Sequence, residues 1–283
     1  MRIMMTDQIS TKILITINLL FFIFFSQTSS AEEKPLWQLG FGVGSLSQSY
    51  YTGTRQRRNI TFPVVLPIYR GEIFKSDDRG LRAELLKNEK LKLDVSFDFN
   101  FSIDSDEVDL REGLPDIANN LQVGPALEWS LYRSDDNAWT INFPLRANIG
   151  FEGSDVDIDG FTFSPNIEFT QNFHTGKVPW RFGASLGPQF GSSSFHDIYY
   201  GVDQEFATST RSAFDADGGY TGYRAQTSLV TKNNRHLFVA FLRYENISGA
   251  VFEDSPLIET DDNLIVGFIY NYYFFNSKKR VNR

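Results

Sequence analysis

Apolar and polar residues alternate along most of this chain. Leu91, Leu93, Val95, Phe97, Phe99 and Phe101 interleave with Lys92, Asp94, Ser96, Asp98, Asn100 and Ser102. Trp139, Ile141, Phe143, Leu145, Ala147 and Ile149 interleave with Thr140, Asn142, Pro144, Arg146, Asn148 and Gly150, and the stretches 121–131, 161–173 and 180–190 follow the same rule. A period of two gives each strand one apolar and one polar face. Many runs last about ten residues or more, where strands of soluble proteins usually have about five or six and a tilted membrane-spanning strand needs about 9–11. The polar faces carry Arg82, Glu84, Lys92, Asp94, Arg146, Glu168 and Arg181. A dry core refuses such charges, but the lumen of a transmembrane barrel accepts them. The pattern predicts an all-β, antiparallel, up-and-down transmembrane β-barrel.

Twelve strands are expected, over 36–48, 58–68, 69–76, 79–87, 90–102, 120–133, 137–150, 160–173, 179–191, 220–231, 235–246 and 262–275. An even count suits a single-chain bacterial barrel. With the N-terminus in the periplasm, the connections Pro67–Arg70, Lys87–Lys90, Arg133–Ala138, His174–Val178 and Lys232–Asn234 are short inner turns, and 103–119, 192–219 and 247–261 are long outer loops. That asymmetry is the one outer-membrane barrels have. Trp37, Trp129, Trp139 and Trp180, joined by Tyr272 and Phe274, then fall at the periplasmic rim as an aromatic belt against lipid. Pro63, Pro125, Pro144, Pro165 and Pro188 lie inside expected strands, where each removes a ladder donor and calls for a bulge or a rim position.

The first 31 residues stand outside this pattern. Arg2 and Lys12 precede an apolar run from Ile13 to Phe25, and Ser29 and Ala31 put small residues before Glu32. This is the layout of a cleaved signal peptide. It directs the chain to the envelope and leaves residues 32–275 as the barrel, with a basic tail at 276–283 carrying Lys278, Lys279, Arg280 and Arg283. Cleavage takes the formal charge from −8 to −9, an acidity that argues against nucleic acid as a partner. Cysteine is absent, which excludes disulfides and thiolate chemistry.

Little in the chain calls for catalysis or a cofactor. The run Ser192 to Asp197 holds a Ser/His/Asp cluster around His196, but adjacent residues rarely make a triad, and a solvated loop is the expectation there. Asp155 to Gly160 copies the first half of a calcium loop, yet Asn166 stands where the bidentate Glu belongs, leaving at most weak divalent binding by a loop. The acidic run Asp104–Asp109 reads as a solvated outer loop.

Several words of the sequence resemble the MipA/OmpV family, whose founding member is the MltA-interacting protein. They are Trp37 to Val43, Tyr51-Thr52-Gly53, Tyr69 to Glu72, Arg79-Gly80-Leu81, Arg111 to Ile117, Leu121 to Pro125, Tyr199 to Val202 and Gly249 to Leu257. Within the Arg111 word, Arg111, Gly113, Pro115 and Asp116 make up the matching loop motif. The basic tail departs from the family, which is expected to end near its aromatic strand. The resemblance implies an outer-membrane protein in contact with lipid. For the founding member it implies a non-enzymatic scaffold joining a lytic transglycosylase, a murein hydrolase, to a peptidoglycan synthase. Other members resemble porins or adhesins, so a diffusion channel is the alternative.

Overall fold

The computed structural model describes residues 34–70, 74–77, 80–83, 86–88, 90–152, 155–233 and 235–281. The signal-peptide expectation and Glu84 lie outside these residues, and the Arg82 side chain is not among those described. The strands and their loops form one unit, Pro35–Lys279; Lys34 and Arg280–Val281 are the described part of a second, small one.

The expected alternation builds a single antiparallel sheet of fourteen strands. In chain order they are β1 (Trp37–Ser49), β2 (Arg57–Arg70), β3 (Phe74–Asp77), β4 (Gly80–Ala83), β5 (Leu86–Lys87), β6 (Leu91–Asn100), β7 (Asn119–Arg133) and β8 (Asn137–Glu152), followed by β9 (Asp155–Phe163), β10 (Asn166–Thr175), β11 (Val178–Gly191), β12 (Gly219–Asn233), β13 (His236–Asn246) and β14 (Asp262–Asn276). Most pair with their sequence neighbours, β9 and β10 each pair with β8 and β11 instead of with one another, and β14 returns to β1, with Tyr272 opposite Phe41. Taking β4 with β5, and β9 with β10, as interrupted staves leaves the twelve expected. The ladder stays open between its two ends, β4 and β5, although β4 runs beside β6.

Three boundaries differ from the expectation. Pro67–Arg70 is not a turn: β2 continues to Arg70 and pairs with β1 along its whole length, from Ser49–Arg57 to Trp37–Tyr69. On its other side only Tyr69 and Arg70 are paired among the described residues. Pro63 and Pro67 therefore sit in an edge-like strand, where a missing N–H costs little. The expected strand 160–173 starts earlier, at Asp155, and breaks at Ser164-Pro165. The half calcium loop thus lies within β9, laddered to β8 from Asp155–Glu152 to Ile158–Ile149, and is not a loop able to wrap an ion. Finally, β14 runs through Asn276, opposite Gln38, and the Ser277 N–H donates to the Trp37 carbonyl at 2.8 Å, so the tail begins later than 276.

Chemistry at the short turns explains their register. At Lys87–Lys90 the Asn88 side chain accepts from the Lys90 and Leu91 N–H groups at 2.9 and 2.7 Å, a local cap on the hairpin. Thr175 faces Val178 across the two-residue turn Gly176-Lys177. Where Pro165 breaks the β9–β10 stave, its carbonyl oxygen occupies the place a Cβ on Gly187 would take. Only glycine lets the interrupted stave approach β11 this closely.

The outward face is mostly apolar, with Trp37, Phe41, Val65, Tyr69, Leu91, Phe97, Trp129, Trp139, Leu145, Leu186, Phe238, Val266 and Phe268 exposed, and carries Asn59, Thr61 and Thr227 as polar exceptions. The inward face is mixed. At the end carrying the short turns it is filled by Ile68, Val230, Leu237 and Tyr273, with Leu66 and Val239 against them. Lys232 lies 4.4 Å from the Tyr273 ring centroid, and both Lys232 and Arg70 donate to Gln38 Oε1 at 3.0 and 2.9 Å. These residues cluster on one arc of the sheet, β2, β14, β13 and β12, which lie beside one another through β1.

Gly187→Val forces the Pro165 crossing apart, an overpacking expected to cost about 1–3 kcal/mol. Tryptophan-fluorescence unfolding of the refolded barrel in detergent should show the midpoint moving to lower urea.

Candidate functional site

The long loops fold together rather than dispersing into solvent. Tyr51, Ile103, Val108, Ile117, Tyr200, Ala216, Ile247, Ala250 and Phe252, drawn from four loops, form a common buried core, and Leu114, Val202 and Leu257 a second one beside it. Phe252 and Val108 are fully buried, and the Tyr200 and Phe252 rings stack with centroids 3.8 Å apart. Burying each such side chain contributes roughly 1.5–3 kcal/mol, so this cap is a small domain-like lid of its own. Its acidic residues, Asp104, Asp106, Glu107 and Asp109, are exposed as expected, but Ser105 and Val108 between them are buried.

The loop motif holds the cap together. Arg111 is only 3% exposed. Its Nε donates to Ser105 Oγ at 3.1 Å, its Nη1 to the Tyr199 carbonyl at 3.2 Å and its Nη2 to the Pro115 carbonyl at 3.1 Å. Tyr199 lies in the last turn of the one regular helix of the cap, α1 (Ser193–Tyr200). A guanidinium there meets the negative end of the helix dipole, which offsets part of its desolvation. Asp116 accepts from the Ser105 N–H at 2.8 Å, and Gly113 adopts φ +75° between them, a conformation side chains disfavour. The four motif residues are therefore architectural.

His196 contradicts the solvated-loop expectation, being fully buried in α1. Its Nδ1 lies 2.7 Å from the Asp217 carbonyl oxygen and its Nε2 2.7 Å from Thr221 Oγ1, and its ring packs edge-on to Phe252. Ser192 instead caps the helix, accepting from the Phe195 N–H at 3.3 Å, while the Asp197 carboxylate accepts from the Ala216 N–H at 2.6 Å. The three members of the cluster point to three different partners. Burial holds the imidazole pKa below its usual value, against the opposing pull of the Asp217 carbonyl and Asp197. Burial likewise pushes the Tyr199 hydroxyl up to about 12 and raises those of Tyr51 and Tyr200.

The expected lumen charges among the described side chains, Lys92, Asp94, Arg146, Glu168 and Arg181, are inward but divided among separate networks. Lys92 bridges Asp94 and, at 3.8 Å, Glu128, which also binds Arg133 at 3.1 Å. Glu168 accepts from Asn142 Nδ2 at 2.9 Å, Arg181 donates to Asn172 at 3.2 Å, and Arg146 to Ser96 Oγ at 2.9 Å. The largest network joins Asp98, a polar-face position of the alternation, to Arg224, Arg243 and Glu245. Arg224 donates to Glu245 Oε1 at 2.8 Å and lies 3.4 Å from Asp98, whose carboxylate also stands 4.0 Å from Arg243. Under the cap this network lines a cavity of about 260 Å³ with Arg58, Tyr50, Tyr199, Gln122, Thr162 and Gln189. Alternation marked these positions as inward, but only the register brings Asp98, Arg224 and Glu245 together from β6, β12 and β13. Among the described residues no group of three or more acidic or histidine side chains is arranged to hold a metal ion.

The aromatics expected at one rim do gather at the short-turn end. Trp37 faces Tyr69, Trp180 stacks on Phe173, Trp139 packs on Phe169 at 4.9 Å, and Tyr272 meets Phe274 at 4.7 Å.

Two outcomes follow for the cap. Arg111→Ala should cost about 2–4 kcal/mol, from charged hydrogen bonds worth about 1.5–3 kcal/mol each; limited proteolysis should cut within 101–118 while the barrel fragment survives. Arg111→Lys should rescue only in part, because an ammonium cannot fork to two segments. Cap stability should also depend on His196. The unfolded imidazole takes up a proton below about pH 6.5 while the buried one resists. Stability is therefore complete above that pH and falls, by up to about 1.4 kcal/mol per unit, as the pH drops through it. Hydrogen exchange between pH 7.5 and 5 should show the loosening, and His196→Gln should flatten the profile.

The family model for the MltA-interacting protein MipA matches residues 39–274. No curated protein matches the chain. A bacterial polysaccharide outer membrane secretin aligns with 84% of this chain and 99% of its own at 9% identity and a TM-score of 0.44. Neisserial surface protein A aligns with 86% and 100% at 10% identity and TM-score 0.28, and a Pseudomonas aeruginosa FadL homologue with 88% and 65% at 11% and 0.30. Likenesses this remote carry no argument about what the chain does. The family match, by contrast, runs from β1 to the end of β14 and includes the Arg111 motif of the cap: the chain belongs to the MltA-interacting protein (MipA) family of outer-membrane proteins.

Proposed function

We propose that this protein is a non-conducting, non-enzymatic scaffold of the outer membrane, holding a murein hydrolase and a peptidoglycan synthase at its periplasmic end. The observations that support the reading are an apolar cluster of Ile68, Val230, Leu237 and Tyr273 on the inner wall at one end and a folded cap of loops at the other. A barrel filled at both ends favours anchoring over transport. The family is named for interaction with MltA, which supplies the class of partner. In this reading residues 1–31 are a cleaved signal peptide, the aromatics around Trp37, Trp139 and Trp180 mark the periplasmic lipid boundary, and the capped loops face outward.

The docking surface is then the rim of short turns. Lys90, Arg133, Lys177, Arg235 and Lys278 are exposed there, against Asp135 and Asp136. A basic rim speeds encounter with an acidic partner and fixes its orientation. Reversing Lys90, Lys177 and Arg235 to Glu should weaken capture of the lytic transglycosylase by purified barrel about tenfold, read by surface plasmon resonance, with a heat-modifiable folded band unchanged. Wild-type barrel that shows no binding above a control barrel contradicts the scaffold.

A further inference from the structure

The cavity beneath the cap has a charged wall. Its wall carries three arginines, Arg58, Arg224 and Arg243, against two carboxylates, Asp98 and Glu245. A fourth arginine, Arg146, acts on the same Asp98 from two staves away. The carboxylates are committed. Glu245 takes Arg224 Nε and Nη2 on Oε1, both at 2.8 Å, and Thr52 Oγ1 on Oε2 at 2.7 Å; Asp98 is shared between Arg224 and Arg243.

Two of the guanidiniums are left with unmatched charge. Arg58 gives its Nη1 and Nη2 to the neutral Ser102 and Phe101 carbonyls at 2.6 and 3.2 Å and lies 5.0 Å from the Tyr50 ring, but its buried Nε has no hydrogen-bond partner. Its nearest acid influence is Glu107, on the far side of Tyr50, whose hydroxyl donates to that carboxylate at 3.0 Å. Arg243 gives Nε to Gln226 Oε1 at 2.8 Å, stands 4.0 Å from the shared Asp98 and feels the charge of Glu245, which is already engaged by Arg224. A partly desolvated guanidinium lacking its own anion is costly, and its planar fork matches a carboxylate.

The rest of the wall suits hydroxyl groups. Thr162 Oγ1 donates to Gln122 Oε1 and Ser164 Oγ to Gln189 Oε1, both at 2.9 Å, which turns the Gln122 amide nitrogen away from its pair, while Gln189 Nε2 donates to the Pro188 carbonyl at 3.1 Å. Tyr50, Tyr199 and Phe190 supply ring faces. At about 260 Å³ the cavity lies just below the usual range of ligand pockets, about 300–1,000 Å³, and fits one small molecule.

We propose that the cavity under the loop cap binds a small hydroxylated organic anion, of the size and class of a sugar acid, through Arg243 and Arg58. The anion completes the charge balance of the wall, and because Tyr50, Tyr199 and Tyr200 belong to the loops, occupancy fastens the cap. This goes beyond the scaffold reading and stands whether or not the periplasmic rim docks an enzyme.

The test is calorimetric titration of refolded full-length barrel in detergent with glucuronate, with glucose and inorganic phosphate as comparison arms. The expected result is saturable glucuronate binding that is at least tenfold tighter than either comparison, is weakened at least tenfold by Arg243→Gln, and protects the loops from protease. Arg58→Gln is the second variant should the first fail to give a heat-modifiable folded band. Absence of glucuronate binding to the wild type, equal binding of glucose or of phosphate, or affinity unchanged in a folded variant each overturns the proposal.

Discussion

A chain that crosses lipid as strands must satisfy every backbone donor and acceptor within its own ladder. Much else here follows from that one constraint. It fixes the antiparallel neighbour-to-neighbour order, and it turns the period of two into an apolar wall and a polar lumen. It also explains where irregularity is allowed. Pro63 and Pro67 lie in β2, whose second edge is paired at Tyr69 and Arg70 among the described residues, and Pro165 lies at a break bridged by the flanking strands, with the Ser164 N–H donating to the Pro144 carbonyl at 3.2 Å. Pro125, Pro144 and Pro188, by contrast, lie in strands with neighbours on both sides.

The same ladder leaves a lumen that has to be filled, and the two ends are filled by different physics. At the short-turn end the filling is apolar, with Tyr273 and Ile68 packed under a Lys232 cation and tied to the wall through Gln38. At the loop end it is a folded cap around Phe252 and Tyr200, pinned by the forked hydrogen bonds of Arg111. Between them lies the arginine-rich level of Asp98, Arg224, Arg243 and Glu245, where charge is nearly but not wholly matched. A folded cap at the loop end and exposed basic residues at the short-turn end support the proposed scaffold.

The strands were legible because alternation is a local signal. Leu91 to Phe101 and Trp139 to Ile149 show it without interruption, and both became single strands, β6 and β8. Pro67 misled because proline marks a turn in most settings, and only knowledge of which edge of β2 is paired removes the ambiguity. The cap was not legible. Ile103, Val108, Ile117, Ile247 and Phe252 follow no helical or strand period, since they meet only after four separate loops converge. A faint signal existed: long loops rich in Ile, Tyr and Phe are packed loops more often than solvated ones. His196 was misjudged for the same reason, as its burial depends on Phe252, Asp217 and Thr221 arriving from elsewhere. The cavity network was half legible: its residues could be assigned to the inward face, but not to one level of the barrel.

The central claim is that the lumen is closed at both ends, and single-channel recording in planar bilayers tests it most directly. Refolded full-length barrel, inserted at verified density, should give no stable conductance steps. Reproducible, discrete steps from the folded wild-type protein would show an open path past Tyr273 and the cap and contradict the account.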